Sequence, residues 1–298
     1  MLLAIDAGNT ETVVGLFDDG DDPPAGPARG GTGGRSAHEG AAREGAAHEG
    51  AEPVGLVRHW RLSTVAERTP DEHALLFAQL LGLDDVGVGL GPDHSVTGIA
   101  VTSSVPRVTS ALRDMAHEWF DVPCVVLGPG VRSGMPILYD NPREVGADRV
   151  ANAVGAFDLY GGPCIVVDLG TATTFDAISA AGEYLGGAIA PGVAISMDAL
   201  FQHAAALRRV ELVEPRSVIA KSTVESMQSG LLYGFAGQVD GICRRFQEEL
   251  GPSTVIATGG LSPVIAPHTS CIDHREPWLT LHGLRLVYHR NVDRHRSC

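Results

Sequence analysis

Lysine is almost absent from this chain, and this scarcity excludes one large class of phosphotransferase. Lys221 is the only lysine among 22 basic residues, and it follows Ala220. A Walker A loop needs a glycine directly before its lysine, so a P-loop kinase is excluded. No G-x-G-x-x-G follows a predicted strand and no H-E-x-x-H occurs, which disfavours a dinucleotide enzyme and a zinc protease.

Paired cysteines, long apolar runs and excess positive charge are also missing. The five cysteines are scattered and form no C-x-x-C pair, which favours neither a disulfide framework nor a zinc site and fits a reducing cytoplasm. No apolar stretch reaches the roughly 18 residues of a membrane helix. The net charge of −14 disfavours nucleic acid and anionic membranes as partners. A phosphate site would therefore be a local pocket neutralised by bound cations.

The ordered parts of the chain alternate between strand and helix patterns. At 298 residues the chain is long enough for two domains. Residues 1–18 favour a β-hairpin, and the capping box that begins at Thr69 precedes a helix that ends at Gly82. Further strands are predicted over 54–62, 96–102, 123–127 and 255–257, a second hairpin over 165–178, and helices over 108–120, 143–159, 194–206 and 222–250.

Residues 19–53 interrupt this pattern and contain almost no large apolar side chain. Residues 37–51 are three tandem copies of Ala-[His/Arg]-Glu-Gly-Ala. Such a segment cannot bury enough apolar surface to offset the entropy of ordering it. We expect a disordered insertion at a hairpin tip.

Two strand ends carry the same short motif, an aspartate followed by a small, hydroxyl-rich loop. Asp6 opens the loop of residues 7–10, and Asp168 opens the loop of residues 169–174. A strand-end carboxylate can hold a hydrated cation, while loop N–H groups and hydroxyls face phosphate oxygens. Ordinary turn chemistry produces the same residues in a single copy. The repetition predicts a nucleotide phosphate site built from two loops.

The densest polar cluster outside the insertion runs from Tyr139 to Arg149. Asp148 lies near a predicted helix start, where a carboxylate is favourable and can take a proton from an alcohol that attacks phosphorus. Arg149 can bind a substrate carboxylate through two hydrogen bonds. The alternative is a helix-start aspartate with a surface ion pair.

Seven motifs in order resemble those of the type III pantothenate kinase family, which belongs to the actin-like, sugar-kinase and Hsp70 ATPase superfamily. They are AIDAGNT, SSVP, YDNPREVGADR, VVDLGTATTFD, GGAIAPG, TVESMQSG and IATGG, and they cover nearly the whole chain outside 19–53. The resemblance implies an α/β protein with a two-domain actin-like, ribonuclease H-like ATPase fold, mixed sheets and flanking helices. The expected lobes are residues 1–145 and 146–298.

The resemblance also implies roles for individual residues. Asp148 would be the general base that acts on the primary hydroxyl of pantothenate, and Asp168 would ligate a monovalent cation, K⁺ or NH₄⁺. Mg²⁺ would arrive with ATP, and the protein would be a cytoplasmic homodimer. The residues expected to bind ATP are Asp6, Ala7, Gly8, Asn9, Thr10, Glu11, Thr12, Val13 and Thr171. Those expected to line the pantothenate pocket are Tyr139, Gly146, Ala147, Asp148, Arg149 and Thr223.

Three positions depart from the family pattern. Glu11 replaces a neutral amide and is expected to oppose phosphate binding if its carboxylate points inward. Ser222 replaces an asparagine, and Arg208 replaces a proline. Two other functions stay open: a non-catalytic regulatory homologue of the Bvg accessory factor type, and another small-molecule kinase of the superfamily.

Overall fold

The computed structural model describes residues 1–18, 48–50, 52–82, 96–203 and 209–292. The chain divides into two compact units. The first unit comprises residues 1–25, 52–155 and 278–298, and the second comprises residues 26–51 and 156–277. This division lies ten residues after the predicted boundary of 145/146, and it assigns the C-terminal segment to the first unit.

The strands of the chain form two sheets. The first unit contains β1 (Leu2–Ala7), β2 (Glu11–Phe17), β4 (Leu56–Ser63), β5 (Gly98–Ser103) and β6 (Cys124–Val126). The second unit contains β3 (His48–Glu49), β7 (Cys164–Leu169), β8 (Ala172–Ile178), β9 (Tyr184–Pro191), β10 (Thr254–Thr258) and β11 (His274–Arg275).

Seven α-helices accompany these strands in the described residues. They are α1 (Pro70–Gly82), α2 (Pro106–Met115), α3 (Ala147–Tyr160), α4 (Val193–His203), α5 (Thr223–Leu250), α6 (Ser262–Ile265) and α7 (Leu279–Val292). A π-helical turn (Ala116–Phe120) continues α2, and 3₁₀ turns cover Pro142–Glu144 and Ala266–His268. Within the described ranges, no helix combines the length and the hydrophobicity that a membrane span requires.

The two sheets repeat one strand order. The first is β4-β2-β1-β5-β6, and the second is β9-β8-β7-β10-β11 with β3 added at its edge. In both sheets the leading strand pairs antiparallel with its hairpin partner and parallel with the strand on its other side. The two aspartate motifs end the corresponding strands β1 and β7. The predicted mixed α/β architecture is therefore confirmed, with the aspartate loops at equivalent positions.

Helices cover both faces of the first sheet. On one face, Phe77 of α1 and Leu112 of α2 pack with Ile5 and other strand residues into an apolar core. On the opposite face α7 contacts β1 and β5. A Cβ atom added to Gly15 would lie 2.8 Å from Leu281 Cδ1, which shows how closely α7 approaches the strands. Asp6 belongs to the face that α7 covers, because side chains alternate along a strand.

Helix α3 packs against α7, and small residues allow their close contact. A Cβ atom on Gly155 would lie 2.8 Å from the Leu279 carbonyl oxygen, so glycine allows α3 and α7 to approach closely. Thr280 Oγ1 donates a hydrogen bond of 2.7 Å to Asn152 Oδ1. Helix α7 thus contacts both the strand that carries Asp6 and the helix that carries Asp148.

Most predicted elements are present, with shifted ends. The capping box is confirmed: Thr69 Oγ1 accepts from Glu72 N at 3.3 Å, and Glu72 Oε2 accepts from Thr69 N at 2.8 Å. Helix α3 begins at Ala147 rather than near 143, because Pro142–Glu144 forms a 3₁₀ turn. The sequence reasoning did not predict β3, β9, β11, α6 or α7.

The prediction of a disordered insertion over 19–53 is wrong at its C-terminal end. Residues 48–49 form β3, which pairs parallel with β11. His48 N donates to Asp273 O at 3.1 Å, and Gly50 N donates to Arg275 O at 2.9 Å. Arg275 also forms an ion pair of 2.5 Å with Glu49. Residues 19–47 and 51 lie outside the described residues.

Candidate active site

The first aspartate loop is a tight turn between β1 and β2. Gly8 N donates to Glu11 O at 2.9 Å, and a Cβ atom on Gly8 would lie 3.2 Å from the same oxygen. Asn9 and Thr10 are exposed, and Thr64 N donates to Thr10 O at 3.0 Å. The exposed loop groups can therefore meet a ligand, while β4 holds the end of the loop in place.

Glu11 is paired in the structure. Arg61 Nη1 donates to Glu11 Oε2 at 2.5 Å, and the two side chains are 38% and 47% exposed. The Arg61 guanidinium carbon lies 5.3 Å from the centre of the Trp278 ring. The unpaired repulsion that the sequence suggests at position 11 is therefore absent, because a cation neutralises the carboxylate. Sequence reasoning missed Arg61, which is 50 residues away in the chain.

Asp148 occupies the first turn of α3. Its Oδ1 accepts a hydrogen bond of 2.8 Å from Arg149 N, which is the favourable placement of a carboxylate at a helix start. A Cβ atom on Gly146 would lie 2.5 Å from the same oxygen. The glycine thus leaves room for the carboxylate. Arg149 is 7% exposed, so most of its side chain is shielded from solvent.

The remaining residues expected at the pantothenate pocket lie in different parts of the chain. Ala147 begins α3, and Tyr139 lies half-buried in the loop before it, both within the first unit. Thr223 begins α5 in the second unit and is exposed.

Ser222, one of the departures from the family pattern, has a clear structural role. It is the N-cap of α5, and its Oγ accepts from Glu225 N at 3.3 Å. Serine and asparagine cap helices about equally well, so this substitution preserves the helix start. Arg208, another departure, lies outside the described residues.

The second aspartate loop follows β7. Asp168 is half-buried, and Thr171 is exposed. A Cβ atom on Gly170 would lie 3.3 Å from Asp168 Oδ1. Gly192, after β9, packs directly on the carbonyl oxygens of Gly170 and Thr171. Gly192 therefore packs against this loop at a position where a side chain would not fit.

Asp168 has hydroxyl neighbours on both sides. In the strand register it faces Thr174 on β8 and Thr258 on β10, and cross-strand partners share one face of a sheet. Gly259 follows Thr258 with a φ of +88°, and a Cβ atom there would lie 2.5 Å from Asp168 Oδ1. Glycine at this position therefore leaves room for the Asp168 carboxylate.

The side chains beside Asp168 in the strand register carry oxygen atoms, and this indicates which kind of cation they could bind. Across the described ranges, no group of three or more His, Cys, Asp or Glu side chains is arranged to hold a metal ion. A carboxylate flanked by two threonines fits a weakly bound hard cation completed by backbone oxygens and water, and it does not fit a transition metal.

A cavity of about 890 Å³ lies elsewhere in the second unit. Its lining includes Tyr160, Arg244, Cys271 and His274. It opens at the beginnings of β7, β10 and β11, whereas Asp168 and Thr258 are at strand ends. This cavity is therefore separate from the residues predicted to bind ATP and substrate.

Comparison with known proteins agrees with the motifs. Residues 44–245 match the family model of type III pantothenate kinase. A type III pantothenate kinase of Streptomyces griseus is 51% identical over 99% of this chain and 100% of its own length. That of Saccharopolyspora erythraea is 52% identical over 98% and 99%, and that of Moorella thermoacetica is 47% identical over 98% and 100%.

A solved structure shows the same fold at low identity. A Baf family protein from Campylobacter jejuni matches with a TM-score of 0.54 and 16% identity, covering 98% of this chain and 99% of its own. At that identity the likeness shows the fold alone. The strand order is repeated in two sheets, and full-length relatives are about half identical in sequence. On these grounds the chain has the two-domain actin-like fold and belongs to the type III pantothenate kinase family.

Proposed function

We propose that this protein transfers the γ-phosphoryl group of ATP to the primary hydroxyl of pantothenate, the first step of coenzyme A synthesis. The observation that carries the proposal is the strand-end aspartate followed by an open loop, present once in each unit of a chain of this family. Phosphoryl transfer depends on positioning and charge neutralisation, and such loops supply both.

In this proposal residues 6–13 and Thr171 contact the phosphates of ATP. The loop after β1 offers the backbone N–H of Asn9 and the hydroxyl of Thr10, while the N–H of Gly8 closes the turn by donating to Glu11 O. Glycine in the first loop and the packing of Gly192 beneath the second allow the backbone itself to face the ligand. Mg²⁺ bound with ATP would neutralise charge that develops on the transferred group.

Asp148 acts as the general base. One oxygen, Oδ1, accepts the amide of Arg149, which fixes the direction of the carboxylate. The carboxylate takes the proton of the pantothenate hydroxyl as that oxygen bonds to the γ-phosphorus, and ADP leaves with the electrons of the broken phosphorus–oxygen bond. Arg149 binds the pantothenate carboxylate, and Tyr139, Gly146, Ala147 and Thr223 line the pocket.

Asp168 holds a monovalent cation, K⁺ or NH₄⁺. The flanking Thr174 and Thr258 supply the neutral oxygen neighbours that such an ion needs. The cation would supply positive charge to the phosphate-binding loop in a chain of net charge −14. Activity measured in potassium, ammonium, sodium and tetramethylammonium buffers tests this role: equal rates in all four would contradict it.

A homodimer in the cytoplasm completes the proposal. The second unit exposes large apolar side chains on β9, α4, the start of α5 and the segment before α5. They are Ile189, Ile195, Leu200, Phe201, Val218, Ile219 and Val224. Large apolar side chains left exposed to solvent are a feature of interaction surfaces. The cytoplasm fits the four cysteines in the described residues, all of which are free thiols.

The test is an assay of purified protein with ATP and three acceptors: pantothenate, acetate and a hexose. The proposal predicts ATP-dependent formation of 4'-phosphopantothenate alone. Phosphorylation of acetate or the hexose would support another small-molecule kinase of the superfamily. Absence of all three products, with ATP bound, would support a regulatory homologue of the Bvg accessory factor type.

A further inference from the structure

Arg61 stands in the same row of side chains as Asp6. In the register of the first sheet, Asp6 pairs with Val13, and Val13 pairs with Arg61. Cross-strand partners share a face, so Asp6 and Arg61 project from one side of the sheet. Two strand spacings separate their backbones by roughly 10 Å. An arginine side chain that leans back over Val13 covers most of that distance.

The loop expected to bind phosphate is joined directly to this arginine. Arg61 Nη1 donates to Glu11 Oε2 at 2.5 Å, and Glu11 O closes the turn by accepting from Gly8 N at 2.9 Å. Thr64, three residues after Arg61, donates its N–H to Thr10 O at 3.0 Å. The Glu11 contact therefore positions the guanidinium, and the Thr64–Thr10 hydrogen bond holds the chain that follows its strand against the same loop.

Most of the donors of Arg61 have no acceptor in the described parts of the chain. The guanidinium has five N–H groups, and Glu11 is the one hydrogen-bond acceptor that those residues offer it. Trp278 supports the guanidinium at 5.3 Å without accepting a hydrogen bond. By contrast, Arg285 and Arg290 on α7, which covers the same face, donate to the backbone carbonyls of Val54 and Ser133.

We propose that Arg61 binds the polyphosphate of the nucleotide and that Glu11 is its positioning residue. This inference rests on the proposed function, because it assigns a further contact to the proposed ATP site. Glu11 keeps Nη1, and the other N–H groups of the planar guanidinium donate to phosphate oxygens. The carboxylate that departs from the family pattern then serves ATP binding by orienting a cation.

The test compares ATP binding, measured by calorimetry with MgATP, in five proteins: wild type, Arg61→Ala, Glu11→Ala, the double variant and Arg58→Ala. Arg58 is the matched control, because it lies on the same strand but faces the other side of the sheet. Arg61→Ala should raise the Kd for MgATP about tenfold, the loss expected for a charged hydrogen bond at a partly exposed site. Arg58→Ala should change it less than about twofold.

The double variant shows whether Glu11 acts by positioning Arg61 or only through its own negative charge. Glu11→Ala should weaken ATP binding about threefold when Arg61 is present, because the guanidinium loses its orientation. In the Arg61→Ala background the same change should strengthen binding, because only the repulsion of the carboxylate is removed. A purely structural Arg61 would instead lower the melting temperature and raise the KM for pantothenate as well.

The outcomes distinguish failure of this inference from failure of the proposed function on which it rests. If wild type binds MgATP and Arg61→Ala binds it equally tightly, Arg61 makes no phosphate contact and the inference is wrong. If Glu11→Ala has the same effect in both backgrounds, Glu11 does not act through Arg61. If wild-type protein does not bind MgATP at all, the proposed function itself fails.

Discussion

Gly259 occupies a position that no other residue can take without disturbing Asp168. Its φ of +88° is strained for any side chain, and a Cβ atom would lie 2.5 Å from Asp168 Oδ1. Gly259→Ala should therefore displace the carboxylate and lower kcat at least about tenfold. Gly237→Ala is the control, because its position on α5 is open. Equal kcat values for the two variants would show that Asp168 tolerates displacement.

His73 should make the protein sensitive to mild acid. It is 5% exposed on α1, and neither ring nitrogen has a hydrogen-bond partner in the described residues. Burial, and then the charge of Arg68, lowers the pKa of His73 to about 4. In the unfolded chain His73 binds a proton near pH 6.5, whereas in the folded protein it stays neutral until the pH approaches 4. The stability that this side chain contributes above pH 6.5 is therefore lost as the pH falls toward 4.

His73→Leu isolates this contribution, because the other titrating groups are common to both proteins. The free energy of unfolding of wild type, relative to the variant, should fall by up to about 3 kcal/mol between pH 7 and pH 4. Urea titrations at four pH values in this range measure the difference. A constant difference between the two proteins would mean that His73 is protonated in the folded state.

At the scale of elements, β3 is expected to stabilise the fold, although the composition of residues 19–53 does not suggest this. Two backbone hydrogen bonds and the Glu49–Arg275 ion pair join it to β11. Two deletions isolate it, one of residues 21–46 and one of residues 21–52. The longer deletion should lower the free energy of unfolding by about 1–3 kcal/mol more than the shorter one. Identical thermal midpoints for the two deletions would show that this pairing adds no stability.

The elements that the sequence reveals are those with their own local pattern. The hairpins, the capping box of α1 and the long helix α5 each carry periodicity or a cap within one segment, and all are present. Strands β3 and β11 have two residues each, which is too short for any period. They exist because β3 pairs with β11 and β11 pairs with β10, and no local signal encodes such pairing.

The residues of the candidate site also fall into those that a local motif reveals and those that it does not. Asp6, Asp148 and Asp168 could be identified because each stands at a strand end or helix start within a recognisable motif. Arg61 could not, because it joins the site only through the strand register, and the register also shows that Thr174 and Thr258 flank Asp168. Glu11 illustrates the consequence: its sequence neighbours suggest repulsion of phosphate, whereas Arg61 on the adjacent strand neutralises its charge.

At the scale of the whole molecule, one strand order occurs twice and each copy ends its leading strand in an aspartate loop. The proposed kinase assigns different tasks to the two copies: the first contacts phosphate, and the second binds the cation and adds one phosphate contact through Thr171. The proposed base, Asp148, belongs to neither loop and lies in the first turn of α3. In this proposal the chemistry depends on Asp148 more directly than on any other single residue.

The turnover of Asp148→Asn tests this account most directly. Asparagine has the same shape and its Oδ1 can still accept the Arg149 amide, so the fold and the melting temperature should be unchanged. An amide cannot take the proton of the hydroxyl, and losing a general base costs about 10²- to 10⁴-fold in rate. With saturating ATP and pantothenate, and 4'-phosphopantothenate measured by mass spectrometry, kcat should fall within that range. A variant that keeps the wild-type kcat would contradict the account, because Asp148 would then be only a helix-start residue.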